Sequence, residues 1–175
     1  FVNEIGKAYE EIGFVALKGH FLSDELVGNL YTEVRDFFNL PVEKKSKYEV
    51  PGIGGQRGYV SFGKESAKGR KTGDLKEFWH FGQYVENDPK LEAEYPANVT
   101  VEELPNFNST GKETYQMLEK TGVYVLRALA LFLGLDEFYF DKFVKNGNSI
   151  LRPIHYPPIL DEPKDAVRAA AHGDI

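Results

Sequence analysis

Two residues near the end of the chain have the types and spacing for chemistry: His172 and Asp174, in Arg168-Ala169-Ala170-Ala171-His172-Gly173-Asp174-Ile175. On a strand, residues two apart project from the same face. The imidazole and the carboxylate then converge, and Gly173 adds no bulk on the other side. Such a pair can share a cation. Joined by a second histidine, it becomes the two-histidine, one-carboxylate set that leaves open positions on iron(II) for a cosubstrate and dioxygen. With 4 His and 27 Asp+Glu in 175 residues, about 0.6 His-x-acid triplets arise by chance. The spacing therefore draws its weight from context, a run of small residues rather than a charged surface.

The other histidines are His20, His80 and His155. Glu77-Phe78-Trp79-His80 has the spacing of a di-iron helix motif. Its aromatics favour a strand, on which residues three apart face opposite ways, and the motif has no second copy. His20 lies between a short apolar run and a helix cap and reads as a turn histidine. Alternation along Ser149–Tyr156 puts Arg152, Ile154 and Tyr156 on one face and Pro153 and His155 on the other. A Tyr156 hydroxyl on an inner face can donate to a carboxylate, and a core tyrosine accounts for it equally well. Arg57 and Tyr59, in the glycine-rich stretch after Pro51, are expected to border a substrate entrance.

Other chemistries are excluded or unsupported. The chain has no cysteine, so disulfides, zinc fingers and thiol nucleophiles are out. No Gly-x-Ser-x-Gly occurs, and Gly52-Ile53-Gly54-Gly55 lacks the Lys-Ser/Thr of a phosphate loop. A net charge of −6 argues against nucleic acid. The one dense basic stretch, Lys64 to Lys71, reads as a solvated loop. No apolar run approaches the roughly 20 residues of a membrane span, and the N-terminus has no signal-peptide core. A cytoplasmic protein acting on a small molecule is expected, with no nucleic-acid or membrane partner.

These residues must be positioned by a mixed set of elements. Val2, Ile5, Tyr9 and Ile12 predict a first helix closed by Gly13. Phe14–Leu17 predicts a short strand. Ser23, with Asp24 and Glu25 behind it, predicts a helix N-terminus, with Leu26, Val27, Leu30, Val34, Phe37 and Phe38 inward and Pro41 at its end. Asp74–Val85 predicts an aromatic strand, and Glu86–Asn108 a long polar connection. Thr110-Gly111-Lys112-Glu113 has the form of a capping box opening a helix to about Leu133, closed by Gly134. Asp136 is expected to cap a helix through Phe143, and Asn146-Gly147-Asn148 to turn the chain. Strands are expected over Ser149–Tyr156 and from Ala166 onward, around a loop from Pro157 to Lys164. Helices before strands suggest α+β.

Several stretches together resemble the isopenicillin N synthase-like family of iron(II)/2-oxoglutarate-dependent oxygenases. GFVALKGHFL (13–22), FFNLPVEKKSKY (37–48), RGYVSFGKE (57–65) with DLKEFWHFG (74–82), EYPANVTVEELPNF (94–107), LRPIHYPP (151–158) and RAAAHGDI (168–175) follow that family's blocks in order. Thr100 stands where a Trp is usual, and Ile154 where plant members often have Asn.

The resemblance implies a double-stranded β-helix, or jelly-roll, core preceded by a helical N-terminal region. It implies iron(II) held by His172 and Asp174, and 2-oxoglutarate as cosubstrate contacted by Tyr156, or, as in isopenicillin N synthase itself, which uses no 2-oxoglutarate, substrate bound by that tyrosine. Residues 1–148 would form the helix-rich region, and 149–175 the first jelly-roll strands with the metal motif. The family's distal histidine and Arg-x-Ser pair come later than Ile175, so the chain is expected to be a fragment of one domain, inactive alone. The expected reaction couples 2-oxoglutarate decarboxylation and dioxygen to hydroxylation, desaturation or ring closure of a small molecule. A sibling oxidase that does without 2-oxoglutarate, or a non-catalytic jelly-roll scaffold, are the alternatives.

Overall fold

The computed structural model describes residues 1–66, 72–86, 88–160 and 166–171. His172 and Asp174 lie outside the described residues, as do most of the basic stretch and of the loop before Ala166. The elements in chain order are α1 (Val2–Glu11), α2 (Asp24–Phe38), α3 (Val42–Lys45), a 3-10 turn (Ser46–Tyr48), β1 (Gly58–Val60), β2 (Glu77–Gly82), α4 (Pro89–Glu94), α5 (Phe107–Phe132), α6 (Asp141–Val144), β3 (Ile150–Leu151) and β4 (Ile154–His155). This is an α+β arrangement with a small antiparallel sheet.

The helices form where side chains stabilise their ends or their buried stripes. Ser23 caps α2, its Oγ accepting from the Leu26 amide at 3.1 Å. Gly13 and Gly134 both adopt positive φ just past α1 and α5, as helix-closing glycines do. The long helix α5 packs against both α1 and α2. It starts three residues before the sequence-predicted capping box. Phe107 is almost fully buried and anchors the first turn in the core. Asn108 then ties the preceding loop down, donating to Val99 O at 2.6 Å and accepting from the Val101 amide at 2.8 Å. Thr110 is left inside the helix, where its amide reaches Asn106 O. The polar connection holds one helix unseen in the sequence, α4, capped by Asp88 Oδ1 with Pro89 in its first turn. Asp136 does accept from the Phe138 amide at 2.9 Å, but helical geometry is confined to Asp141–Val144.

The sheet is organised by β2. β1 pairs with it antiparallel, Tyr59 opposite Trp79. On its other side, β3 sets Leu151 opposite Phe81 and β4 sets His155 opposite Glu77. These two pairings share one register, and the Trp79 amide donates to Pro153 O between them at 3.1 Å. The expected strand over Ser149–Tyr156 is therefore continuous in register and split only where Pro153 lacks an amide to give. Phe14–Leu17 is not a strand: it has no pairing partner among the described residues, and Phe14 is 82% exposed. Residues 166–171 are likewise not a strand, although the Leu75 amide donates to Val167 O at 2.9 Å.

The core sits between the sheet and helices α2 and α5. Phe37, Phe38, Tyr48, Tyr59, Trp79, Phe81, Val101 and Phe107 form one buried cluster. Phe37 is its centre, with ring centroids 4.9 Å from Trp79 and 5.1 Å from Phe107. Gly111 lets α5 approach β2, since a Cβ there would sit 2.3 Å from the Phe81 ring. No helix among the described residues is long and apolar enough to cross a membrane.

Phe37→Ala is expected to cost about 3–5 kcal/mol in urea denaturation, because a fully buried ring would leave a cavity. Gly28→Ala, at an exposed mid-helix position with open space around it, is expected to stabilise by about 0.5–1 kcal/mol.

Candidate active site

Strand alternation gives the sheet two faces with different chemistry. Glu77, Trp79 and Phe81 point to the helices with Tyr59 and Leu151. Lys76, Phe78 and His80 point the other way, with Arg152, Ile154 and Tyr156. Glu77 and His80 thus lie on opposite faces, which removes the di-iron spacing as a common ligand pair.

On the helix side, Glu77 is a buried carboxylate with three partners. Lys45 Nζ lies 2.8 Å from Oε2 and 3.0 Å from Oε1, and also donates to Phe38 O at 2.9 Å. The Tyr59 hydroxyl donates to Oε2, and His155 Nδ1 donates to Oε1 at 2.7 Å. The His155 ring stacks on Phe38 with centroids 5.1 Å apart. Burial alone would raise the Glu77 pKa; hydrogen bonds from Lys45, Tyr59 and His155 outweigh it and hold the carboxyl below the usual range. Burial and the neighbouring carboxylate push the Tyr59 phenol well up, so it stays a donor.

The opposite face carries a chain of polar contacts. His80 Nδ1 donates to Gly55 O at 2.6 Å, and Nε2 accepts from Arg152 Nε at 2.6 Å. Both ring nitrogens are engaged, so His80 is neutral and has no lone pair left for a metal. Burial and the Arg152 charge lower its pKa to about 4. The Arg152 guanidinium lies over Phe78, 4.5 Å from the ring centroid, and reaches Glu65 at 3.2 Å. Glu65 pairs with Lys76 at 2.7 Å, and Lys76 with Asp74 at 3.2 Å. A cavity of about 410 Å³ borders this face, lined in part by Gly55, Val60, Glu65 and Phe78.

Of the sequence-predicted site residues, Tyr156 continues this face just past β4. Its carbonyl accepts from Arg168 Nη1 at 3.2 Å. The segment that leads into His172 is therefore bonded to Tyr156. The glycine-rich loop expected to border an entrance does line this cavity, through Gly52, Gly54 and Gly55 with Tyr59, while Arg57 does not, and both of these side chains are buried. Arg57 packs on Gly82 and bonds Asn148 Oδ1 at 2.9 Å, while Tyr59 serves Glu77. His20 is exposed in a turn. No group of three or more potential metal-ligating His, Cys, Asp or Glu occurs among the described residues. The residues missed in the sequence are Lys45, Glu65, Asp74 and Lys76. Only Asp74 and Lys76 fall in the strand predicted over 74–85, where alternation puts them on one face; nothing local marks Lys45 or Glu65.

Burial separates the expected effects of removing two cations. Lys45→Met leaves the Glu77 charge without its cation and is expected to cost about 3–5 kcal/mol by urea denaturation. Lys64→Met, in the exposed pair with Glu49, is expected to cost under about 1 kcal/mol. For His80, the folded-state pKa lies below the 6.5 of the unfolded chain. Above pH 6.5 both states are neutral at this site. As pH falls from 6.5 toward 4, only the unfolded chain takes up the proton, so stability falls, by up to about 3 kcal/mol. Urea midpoints at about pH 7 and about pH 5 are expected to differ less in His80→Gln than in the wild type.

Comparison with known proteins places this geometry. Residues 1–103 match the family model described as non-haem dioxygenase in morphine synthesis N-terminal. A 2OG-Fe(II) oxygenase family protein of Caulobacter crescentus is 42% identical, with a TM-score of 0.86 over 100% of this chain and 56% of that one. A full-length Neurospora crassa protein solved in complex with alpha-KG is 30% identical, with a TM-score of 0.71 over 89% of this chain and 45% of that one. Proline hydroxylase buaE of Petromyces alliaceus is 28% identical over 184 residues, covering 100% of this chain and 56% of the relative. The chain spans about half the length of the curated relatives it matches. With the family match extending over more than half of its residues, the chain belongs to the isopenicillin N synthase-like family of 2OG-Fe(II) oxygenases.

Proposed function

We propose that the protein is a non-haem iron(II) oxygenase that couples 2-oxoglutarate decarboxylation to oxidation of a small molecule by hydroxylation, desaturation or ring closure. The observation that carries this reading is the docking of the Ala166–Ala171 segment beside Tyr156. That segment runs directly into the only His-x-Asp motif of the chain. The solved Neurospora crassa relative is also described in complex with alpha-KG and thymine, in keeping with a 2-oxoglutarate cosubstrate and a small-molecule substrate here.

The donor set fits the metal. A neutral imidazole from His172 and a carboxylate from Asp174 are ligands suited to iron(II). The residues before them fit as well: Ala170 is buried and its amide is bonded to the body of the protein. Iron(II), when bound, supplies the redox chemistry that links conversion of 2-oxoglutarate to succinate with oxidation of a C–H bond by dioxygen. Tyr156 has the role of donating its hydroxyl to the cosubstrate carboxylate. His80, neutral and fully bonded, holds Arg152 in place over Phe78 rather than taking part as a ligand. The finer architecture follows the same reading, with residues 149–175, opened by β3 and β4, the start of a jelly-roll core and residues 1–148 its helix-rich flank.

The test is succinate release and oxygen uptake by the whole protein with iron(II) and 2-oxoglutarate. His172→Ala and Asp174→Ala are expected to abolish both, with iron(II) binding weakened in titration. Tyr156→Phe is expected to raise the KM for 2-oxoglutarate while leaving iron(II) affinity unchanged. Oxygen uptake that ignores 2-oxoglutarate would instead identify an oxidase of the same family. Absence of iron(II) binding in the wild type would leave a scaffold.

A further inference from the structure

We infer that Asp74 is the positioning residue for the segment that leads into the proposed metal motif: its buried carboxylate seats Ala170, two residues before His172, and iron(II) affinity depends on that seat. The inference rests on the iron(II) reading above and adds to it a residue outside the motif. Asp74 is 3% exposed and Ala170 is 4% exposed. The Ala170 amide donates to Asp74 Oδ1 at 3.2 Å, across 96 positions of sequence. The neighbouring Leu75 amide donates to Val167 O at 2.9 Å. The segment is thus attached by backbone at Val167 and by a side chain at Ala170.

Asp74 is itself fixed from its other oxygen. Lys76 Nζ lies 3.2 Å from Oδ2 and 2.7 Å from Glu65 Oε2, and Glu65 is shared with Arg152. Lys76 is also buried. A carboxylate gripped at one oxygen by a buried ammonium has little rotational freedom, so its second oxygen is a fixed acceptor. Residues that orient metal ligands from behind commonly change metal affinity by 10- to 100-fold when removed. Here the acceptor acts on the backbone, two residues before the motif, rather than on the imidazole.

The experiment compares Asp74→Ala, Asp74→Asn and Lys76→Met in the protein by two readouts. The first is hydrogen–deuterium exchange over residues 166–171 without added metal; the second is iron(II) affinity by anaerobic titration. Asp74→Ala is expected to speed exchange in that segment at least about tenfold and weaken iron(II) binding about 10- to 100-fold. Asp74→Asn retains an acceptor for the Ala170 amide and is expected to keep segment exchange and iron(II) affinity within about threefold of wild type. Lys76→Met keeps the acceptor but frees its far oxygen, and its losses are expected to fall between those of Asp74→Asn and Asp74→Ala. Unchanged exchange in Asp74→Ala overturns the inference. So does a loss in Asp74→Asn as large as in Asp74→Ala, or a larger one in Lys76→Met, either of which would mean that the charge cluster, not the acceptor, holds the segment. Asp74→Asn and Lys76→Met keep the inference open to refutation should Asp74→Ala fail to fold. If the wild type binds no iron(II), the functional reading falls, and the exchange data still decide whether Asp74 holds the segment.

Discussion

A carboxylate removed from water must find its partners inside the protein, and Glu77 finds them in three separate parts of the chain. Lys45 comes from the end of α3, Tyr59 from β1 and His155 from β4. Losing any one would leave charge or a lone pair buried without compensation, at a cost of kilocalories. The consequence is geometric as well as energetic. With Glu77 held inward, alternation sends Trp79 and Phe81 into the aromatic core and Lys76, Phe78 and His80 to the opposite face. A slip of one residue would exchange the faces, putting a tryptophan outside and a histidine bonded to arginine in the core. The register shared by β3 and β4 against β2 follows from the same constraint.

The two faces then do different work. The inner face is mostly aromatic, and a polar cluster on it closes on itself around Glu77. The outer face is polar and extended. It runs from the Gly55 carbonyl through His80, Arg152, Glu65 and Lys76 to Asp74, and from Asp74 to the backbone of Ala170. Tyr156 stands on that face, bonded through its carbonyl to Arg168. Residues 166–171, which lead into His172, are therefore joined to the body of the protein at Val167, Arg168 and Ala170.

Much of this was legible in the sequence where one local signal dominates. Ser23 and the apolar stripe behind it gave α2, Gly13 and Gly134 ended their helices, and alternation correctly put Arg152 and Tyr156 on one face and His155 on the other. Signals that depend on distant partners misled. Thr110–Glu113 has the form of a capping box, but burial of Phe107 starts the helix earlier. Phe14–Leu17 has a strand's composition and no neighbour to pair with. Arg57 and Tyr59 sit among glycines in what reads as loop or irregular strand, yet both side chains are buried, and Tyr59 belongs to β1. Lys45 and Glu77 are 32 positions apart and carry no local mark of meeting. The same holds for Asp74 and Ala170. The family blocks pointed to the family without revealing those pairings.

The most direct measurement is anomalous diffraction at the iron edge from crystals of the protein grown with iron(II) under anaerobic conditions. The expected result is one peak between the His172 imidazole and the Asp174 carboxylate, on the side of the sheet that carries Tyr156 and Arg152. A peak at His80 or His155, or none at the His172–Asp174 motif with iron(II) in excess, would contradict the assignment of the metal site.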